Sequence, residues 1–206
     1  MHWIIIPYRG PDGAKSRLAE ALDERRRRAM SMAMFEHVLT MAAAAIGSGR
    51  VLVVTTTAKA AEAAQQRGAV ALREQEGSLN QALNNARTAL LLFGATHATV
   101  LPADLPDLGV ADVASMLSVA PDGISISPDR HGTGTNALTV PLRVDFRFAF
   151  GPGSFAAHCR EADRLGLCVD KQDRPGLAAD LDTSDDLALL PDGHWLHSII
   201  ARPHAA

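Results

Sequence analysis

Three aspartates carry the clearest chemical signal. Asp104 sits between prolines in Leu101-Pro102-Ala103-Asp104-Leu105-Pro106, and Asp180 and Asp182 are spaced i, i+2 in Asp180-Leu181-Asp182-Thr183. Prolines fix φ and restrict the residue before them, which suits a stiffly held ligand. Residues i and i+2 of an extended chain lie on one side of it. Hard cations such as Mg²⁺ prefer carboxylate oxygens and keep several waters. The plainer reading makes Asp104 a turn aspartate and Asp182 or Thr183 a helix cap. Capping and metal binding are compatible.

Around these carboxylates lie segments suited to anions. Pro7-Tyr8-Arg9-Gly10 through Ala14-Lys15-Ser16-Arg17-Leu18 brings Arg9, Lys15 and Arg17 into one glycine-containing loop. Backbone N–H groups and fixed positive charge there could hold phosphates. The Walker spacing is missing, so a solvated basic loop is the alternative. Ser127-Pro128-Asp129-Arg130-His131-Gly132-Thr133-Gly134-Thr135-Asn136 is polar and glycine-rich between two apolar runs. Small hydroxyls and glycines let a backbone approach an anion closely. Gly151-Pro152-Gly153-Ser154 is a helix start of the same character. In Glu76-Gly77-Ser78-Leu79-Asn80, the Asn80 amide offers a paired donor and acceptor suited to a base edge, with plain capping by Ser78 as the alternative. His131, His158, Cys159 and Cys168 are read as structural.

These segments need a scaffold that gathers them. Trp3–Ile6, Val51–Thr55, Ala69–Leu72, Thr96–Leu101, Ile124–Ser127, Leu138–Pro141 and Leu167–Asp170 read as strands from their apolar, largely β-branched runs. Between them, the pattern predicts helices over 23–46, 59–67, 78–93, 110–119, 154–165 and 183–190. In the longest, Met30, Ala33, Met34, Val38, Met41 and Ala45 recur at helical spacing, with Asp23 as cap and Gly47 as stop. Strand–helix alternation predicts an α/β fold, three-layer, with a mostly parallel central sheet. In such folds ligands bind outside the carboxyl ends of the strands, where the segments above lie. One domain is expected over 1–190, with a tail over 191–206. Trp195, Ile199 and Ile200 suggest that the tail docks on the domain or on a second subunit, as in a homodimer; a frayed end is the alternative.

Composition narrows the partners. The chain has 206 residues, 47% hydrophobic, with 20 Lys+Arg against 23 Asp+Glu and a net charge of −3. That gives no global field to gather nucleic acid or an acidic membrane. The longest apolar runs fall short of the roughly 18–20 residues a bilayer demands. Two cysteines cannot build a disulfide scaffold or a four-cysteine zinc site, and they fit a reducing cytoplasm. Phosphate-gripping loops with carboxylates at strand ends suit metal-assisted phosphoryl or nucleotidyl transfer.

The same strings resemble the 2-phospho-L-lactate guanylyltransferases of coenzyme F-420 biosynthesis. The resemblance rests on 14–18, Leu79-Asn80, Pro102–Pro106, Asp129-Arg130-His131-Gly132-Thr133-Gly134-Thr135-Asn136, Phe150-Gly151-Pro152-Gly153-Ser154 and Asp180–Thr183. It covers nearly the whole chain to about residue 190 and implies a GT-A-like, Rossmann-like nucleotidyltransferase fold. It implies GTP and a three-carbon phospho-acid as substrates: 2-phospholactate, phosphoenolpyruvate or 3-phosphoglycerate. It implies Mg²⁺ held by Asp104, Asp180 and Asp182, and an acceptor pocket at Arg9, Leu79, Thr135, Gly151 and Ser154. Lys15 and Arg17 would then neutralise the triphosphate. Many relatives carry Lys where this chain has Arg9, and Ser78 is inserted relative to a common Gly-Leu-Asn form. Competing readings are a molybdopterin-type guanylyltransferase, a non-catalytic nucleotide-binding regulator, and a structural domain whose carboxylates are all caps.

Overall fold

The computed structural model describes residues 1–11, 15–75 and 77–201. Ala14, Glu76 and the last residues of the tail, 202–206, lie outside them. Seven strands form one sheet: β1 (His2–Pro7), β2 (Val51–Thr55), β3 (Val70–Arg73), β4 (His97–Val100), β5 (Gly123–Pro128), β6 (Thr135–Pro141) and β7 (Cys168–Lys171). Their order is β3-β2-β1-β4-β6-β5-β7. Only β6 runs antiparallel to its neighbours. Side chains alternate through the sheet, as the strand period requires. In β1, Ile4 and Ile6 enter one core cluster while Trp3 and Ile5 enter the other.

The first face is covered by α1 (Glu24–Ile46), α2 (Ala58–Gln66) and α4 (Val110–Leu117); the second by α3 (Leu79–Leu92) and α5 (Ser154–Arg164). Three layers result. The Asp23 side chain accepts from Arg26 N–H at the start of α1, and Gly47 ends the helix at φ 89°. By length and composition alone α1 is apolar enough to cross a membrane. Here its Met30, Met34, Phe35, Val38, Leu39 and Ala42 are completely buried in the core.

Some boundaries differ from the sequence expectation. The strand expected from Leu138 begins at Thr135, so Thr135 and Asn136 belong to β6 and not to the loop before it. Thr135 pairs with Pro128 beyond a register irregularity at Ser127/Pro128. Pairing with β5 thus overrides the loop-like composition. Two short helices escaped the periodicity reading because each is barely a turn or two: α6 (Pro175–Ala178) and α8 (Trp195–Ile200). The expected helix over 183–190 is the shorter α7 (Ser184–Ala188). α8 docks on α1 of its own chain. Leu196 is buried there beside Leu18, Leu22, Met30, Met34 and Leu181, and Trp195 donates its indole N–H to the Pro106 carbonyl at 3.1 Å.

Candidate active site

β1, β2, β3 and β4 are parallel, so their carboxyl ends open on one edge of the sheet. A cleft of about 720 Å³ lies along that edge. That is within the ~300–1,000 Å³ usual for small-ligand sites. Each wall follows a strand: Tyr8–Gly10 after β1, Thr55–Thr56 at the end of β2, Arg73–Gln75 at and after the end of β3, and Pro102–Asp104 after β4. Gly77–Leu79, at the start of α3, closes one side. Gly10 has φ +95°, and a Cβ there would fall 2.9 Å from Thr57 Cγ2. Only glycine lets the two loops meet this closely.

Lys15 organises the carboxylates. Its ammonium donates to Asp104 Oδ2 at 2.6 Å and Asp182 Oδ1 at 2.5 Å, with the Lys15 side chain only 10% exposed. Burial works against that charge, but the two carboxylates prevail and hold the ammonium above its ordinary range. Lys15 also has φ 56°, a left-handed conformation uncommon for a side-chain-bearing residue. The Leu181 N–H donates to the Asp104 carbonyl at 3.1 Å, which joins the two acidic segments. Leu181 points into the core at 1% exposure, so Asp180 and Asp182 both lie on the opposite side of this extended stretch. Asp180 accepts from Asn136 Nδ2 at 3.2 Å. Burial first, and then the charges of Asp104 and Asp182, push its carboxyl above the usual range, against that hydrogen bond.

Among the described residues no three His, Cys, Asp or Glu side chains already form a metal cage. The donor set nonetheless fits a divalent cation completed by substrate oxygens. Mg²⁺ is usually held by one or two carboxylates plus phosphates and water. Asp104 Oδ1 is buried without a hydrogen-bond partner. Such an orphan acceptor is costly unless something positive meets it. The other oxygen of Asp104 already shares a cation, the Lys15 ammonium, with Asp182.

Behind Asp182 stands a buried acid that the sequence reading placed only in the first turn of α7. Asp186 Oδ2 accepts the N–H groups of Asp182 and Thr183, each at 2.7 Å, and Arg130 pairs with the same carboxylate. Arg130 comes from the loop between β5 and β6. There Asp129 Oδ1 accepts the Thr133 N–H at 2.9 Å, and a Cβ on Gly134 would meet Asp129 Oδ2 at 2.6 Å. A side chain at this position would displace the Asp129 carboxylate from that hydrogen bond.

The remaining expected site residues form a second group. Thr135 is buried, and its hydroxyl bonds His158 Nδ1 at 3.0 Å. The Ala149 N–H donates to His158 Nε2 at 3.0 Å. Nε2 therefore accepts, Nδ1 carries the proton, and Thr135 Oγ receives it. Burial pushes His158 down to about 4, so the ring is neutral at physiological pH. Phe155 N–H donates to Thr133 O, which ties Gly151–Ser154 and the head of α5 to the Thr133–Thr135 segment. Ser154 is buried, and Gly151 is exposed at φ +136°. Thr135, Gly151 and Ser154 thus group together, but they do not line the cleft that holds Lys15 and Asp104.

Asn80 and the basic residues differ from expectation in particular ways. Asn80 Nδ2 donates to Phe150 O at 3.1 Å, and Asn80 Oδ1 accepts from Phe150 N at 2.8 Å. Both ends of the amide hold the backbone before Gly151, so Asn80 is turned away from the base-reading use its chemistry suggested. Its neighbour Leu79 does line the cleft, as does Arg9, whose guanidinium donates to the Gly77 carbonyl. Arg17 is exposed on a 3-10 turn over Ser16–Leu18 and does not line the cleft.

The histidine carries a pH prediction. A folded value near 4 against ~6.5 in the unfolded chain means the unfolded state binds more protons between those values. Stability is therefore complete above about pH 6.5 and falls on acidification towards pH 4, by on the order of 3 kcal/mol from this ring. His158→Gln should flatten the decline in urea midpoint between pH 6.5 and 5. An equally steep decline in the variant would show that the ring is not its source.

Comparison with known proteins agrees with this architecture. The family model described as "Guanylyl transferase CofC like" matches residues 2–194. A protein of Rubrobacter xylanophilus named phosphoenolpyruvate guanylyltransferase is 42% identical over 188 residues, 90% of this chain and 91% of the relative. One of the same name from Sphaerobacter thermophilus is 36% identical, over 92% of each chain. In fold, the chain is similar to a putative nucleotide-diphospho-sugar transferase from Desulfovibrio desulfuricans G20, with a TM-score of 0.73. That likeness covers 97% of this chain and 93% of the other at 14% identity. With a seven-stranded nucleotidyltransferase-like sheet and sequence similarity over nearly its whole length, the chain belongs to the CofC-like guanylyl transferase family.

Proposed function

We propose that the chain transfers GMP from GTP to phosphoenolpyruvate, with Mg²⁺ bound at Asp104, Asp180 and Asp182. The observation that carries this reading is the Asp104–Lys15–Asp182 bridge at the cleft edge, with Asp180 beside it. The choice of acid is supported by the name of relatives that match nine-tenths of the chain.

The chemistry follows from the charges. An acceptor phosphate oxygen attacks the α-phosphorus of GTP, a new P–O bond forms, and the bond to the β-phosphate oxygen breaks. Pyrophosphate leaves with that electron pair. A phosphate is already ionised at pH 7, so the site needs no general base, and neutral His158 is consistent with a purely positioning role. Catalysis is then orientation plus neutralisation of charge. The cation, when bound, supplies part of that neutralisation. Lys15 supplies a fixed positive charge beside Asp104 and Asp182. Thr135, Gly151 and Ser154, held by His158 and Phe155, offer the acceptor a rigid turn, and Arg9 offers a planar fork for its acidic groups.

The test is pyrophosphate release with GTP and Mg²⁺, run separately with phosphoenolpyruvate, 2-phospholactate and 3-phosphoglycerate. Release with phosphoenolpyruvate, and markedly less with the other two, is expected. Release with a different acid moves the assignment to that acid. Silence with all three, from folded protein that still binds GTP, favours a nucleotide-binding regulator.

A further inference from the structure

We infer that Glu74 is the residue that selects guanine, an inference that rests on the guanylyl-transfer reading. Glu74 directly follows β3 and lines the same cleft as Asp104, which follows β4. In the strand order β3-β2-β1-β4 those two ends lie three strands apart. At ~4.8 Å per strand that is about 14 Å along the sheet edge. The distance is comparable to the span of a nucleoside triphosphate from base edge to α-phosphorus. With the phosphates at Lys15 and Asp104, the base reaches the β3 end.

The chemistry at that end discriminates between bases. Asn85 Nδ2 donates to Glu74 Oε2 at 2.7 Å, which fixes the rotation of the carboxylate from α3. The Glu74 N–H is itself held by the Thr55 carbonyl at 2.9 Å, so backbone and side chain are both positioned. An ionised carboxylate only accepts hydrogen bonds, and its oxygens have capacity beyond the Asn85 contact. Guanine presents two adjacent donors, N1–H and the exocyclic N2–H₂, which match a carboxylate. Adenine presents an acceptor at N1 and would face Glu74 with repelling lone pairs. Hypoxanthine keeps N1–H but lacks the second donor. A carboxylate that hydrogen-bonds two donors of the right base loses those bonds with a base that lacks them, which discriminates more than a contact of shape alone.

The experiment measures kcat/KM for GTP, ITP and ATP by pyrophosphate release, with the acceptor acid that supports turnover. In the unmodified protein GTP should exceed ITP about 10-fold and ATP by much more, the loss expected for one charge-assisted hydrogen bond and for mismatched ones. Glu74→Gln should lower kcat/KM for GTP about 10- to 100-fold and bring GTP and ITP close together, while turnover with ITP falls less. If the unmodified protein uses ITP as well as GTP, the inference is overturned whether or not the variant folds. A folded variant that keeps the full GTP:ITP ratio overturns it as well. No turnover with GTP and any acid would instead overturn the guanylyl-transfer reading itself.

Discussion

Asp104→Asn should lower the rate of GTP-dependent pyrophosphate release about 10²-fold or more, the range seen when one preorganised charge contact to a transition state is lost. The substitution keeps the shape and removes one negative charge. It strikes the place where charge matters most, because Asp104 faces both Lys15 at 2.6 Å and, through Oδ1, whatever meets that buried orphan oxygen. An amide turns one acceptor into a donor, which would point N–H groups at a cation or at the Lys15 ammonium. The backbone should hold, since Asp104 binds Leu181 through its carbonyl and not its side chain. Lys15 keeps Asp182 as a partner, so the urea midpoint should fall only in part while kcat falls by the full factor, and Mn²⁺ affinity of the GTP-bound protein should weaken in parallel. A folded Asp104→Asn protein with near-normal turnover would remove Asp104 from the site.

Why Asp104 was legible in the sequence while Glu74 was not is a matter of contrast. Asp104 follows a strongly apolar strand and stands between prolines, so its position is marked on both sides. Glu74 obeys the same rule, directly after a strand, but β3 is a half-buried edge strand whose run Val-Ala-Leu-Arg is weak. The strand core Val51–Thr55 was readable to the residue because it is buried throughout and so must be continuously apolar. The sites that failed to show are those made by pairs distant in sequence. Lys15 and Asp182 are 167 residues apart, and Asn80 meets Phe150 across 70. A residue's chemistry indicates what it can do, but not which partner has already claimed it. Asn80 therefore read as a base contact, when its amide is matched to the Phe150 backbone.

Asp186 is the strongest case of such a hidden partner, and Asp186→Ala should have the largest effect on stability of any change near the site. The side chain is 4% exposed and accepts two N–H groups, from Asp182 and Thr183, while pairing with Arg130. Its removal leaves those donors and a partly buried guanidinium uncompensated. Breaking a buried, hydrogen-bonded ion pair in this way costs about 3–5 kcal/mol. The same contact sets the direction of Asp182, so kcat should fall too. Asp186→Asn keeps an oxygen for the backbone donors and loses only the charge opposite Arg130. It should therefore cost less stability and retain more activity than the alanine variant. Urea unfolding of both variants, alone and combined with Arg130→Met, measures the coupling directly. Arg130→Met should cost much less in the Asp186→Ala background than in the unmodified protein, because the guanidinium has by then lost its partner. Additive losses would mean that Arg130 acts elsewhere. The loop between β5 and β6 would then not be the element that steadies the acidic segment.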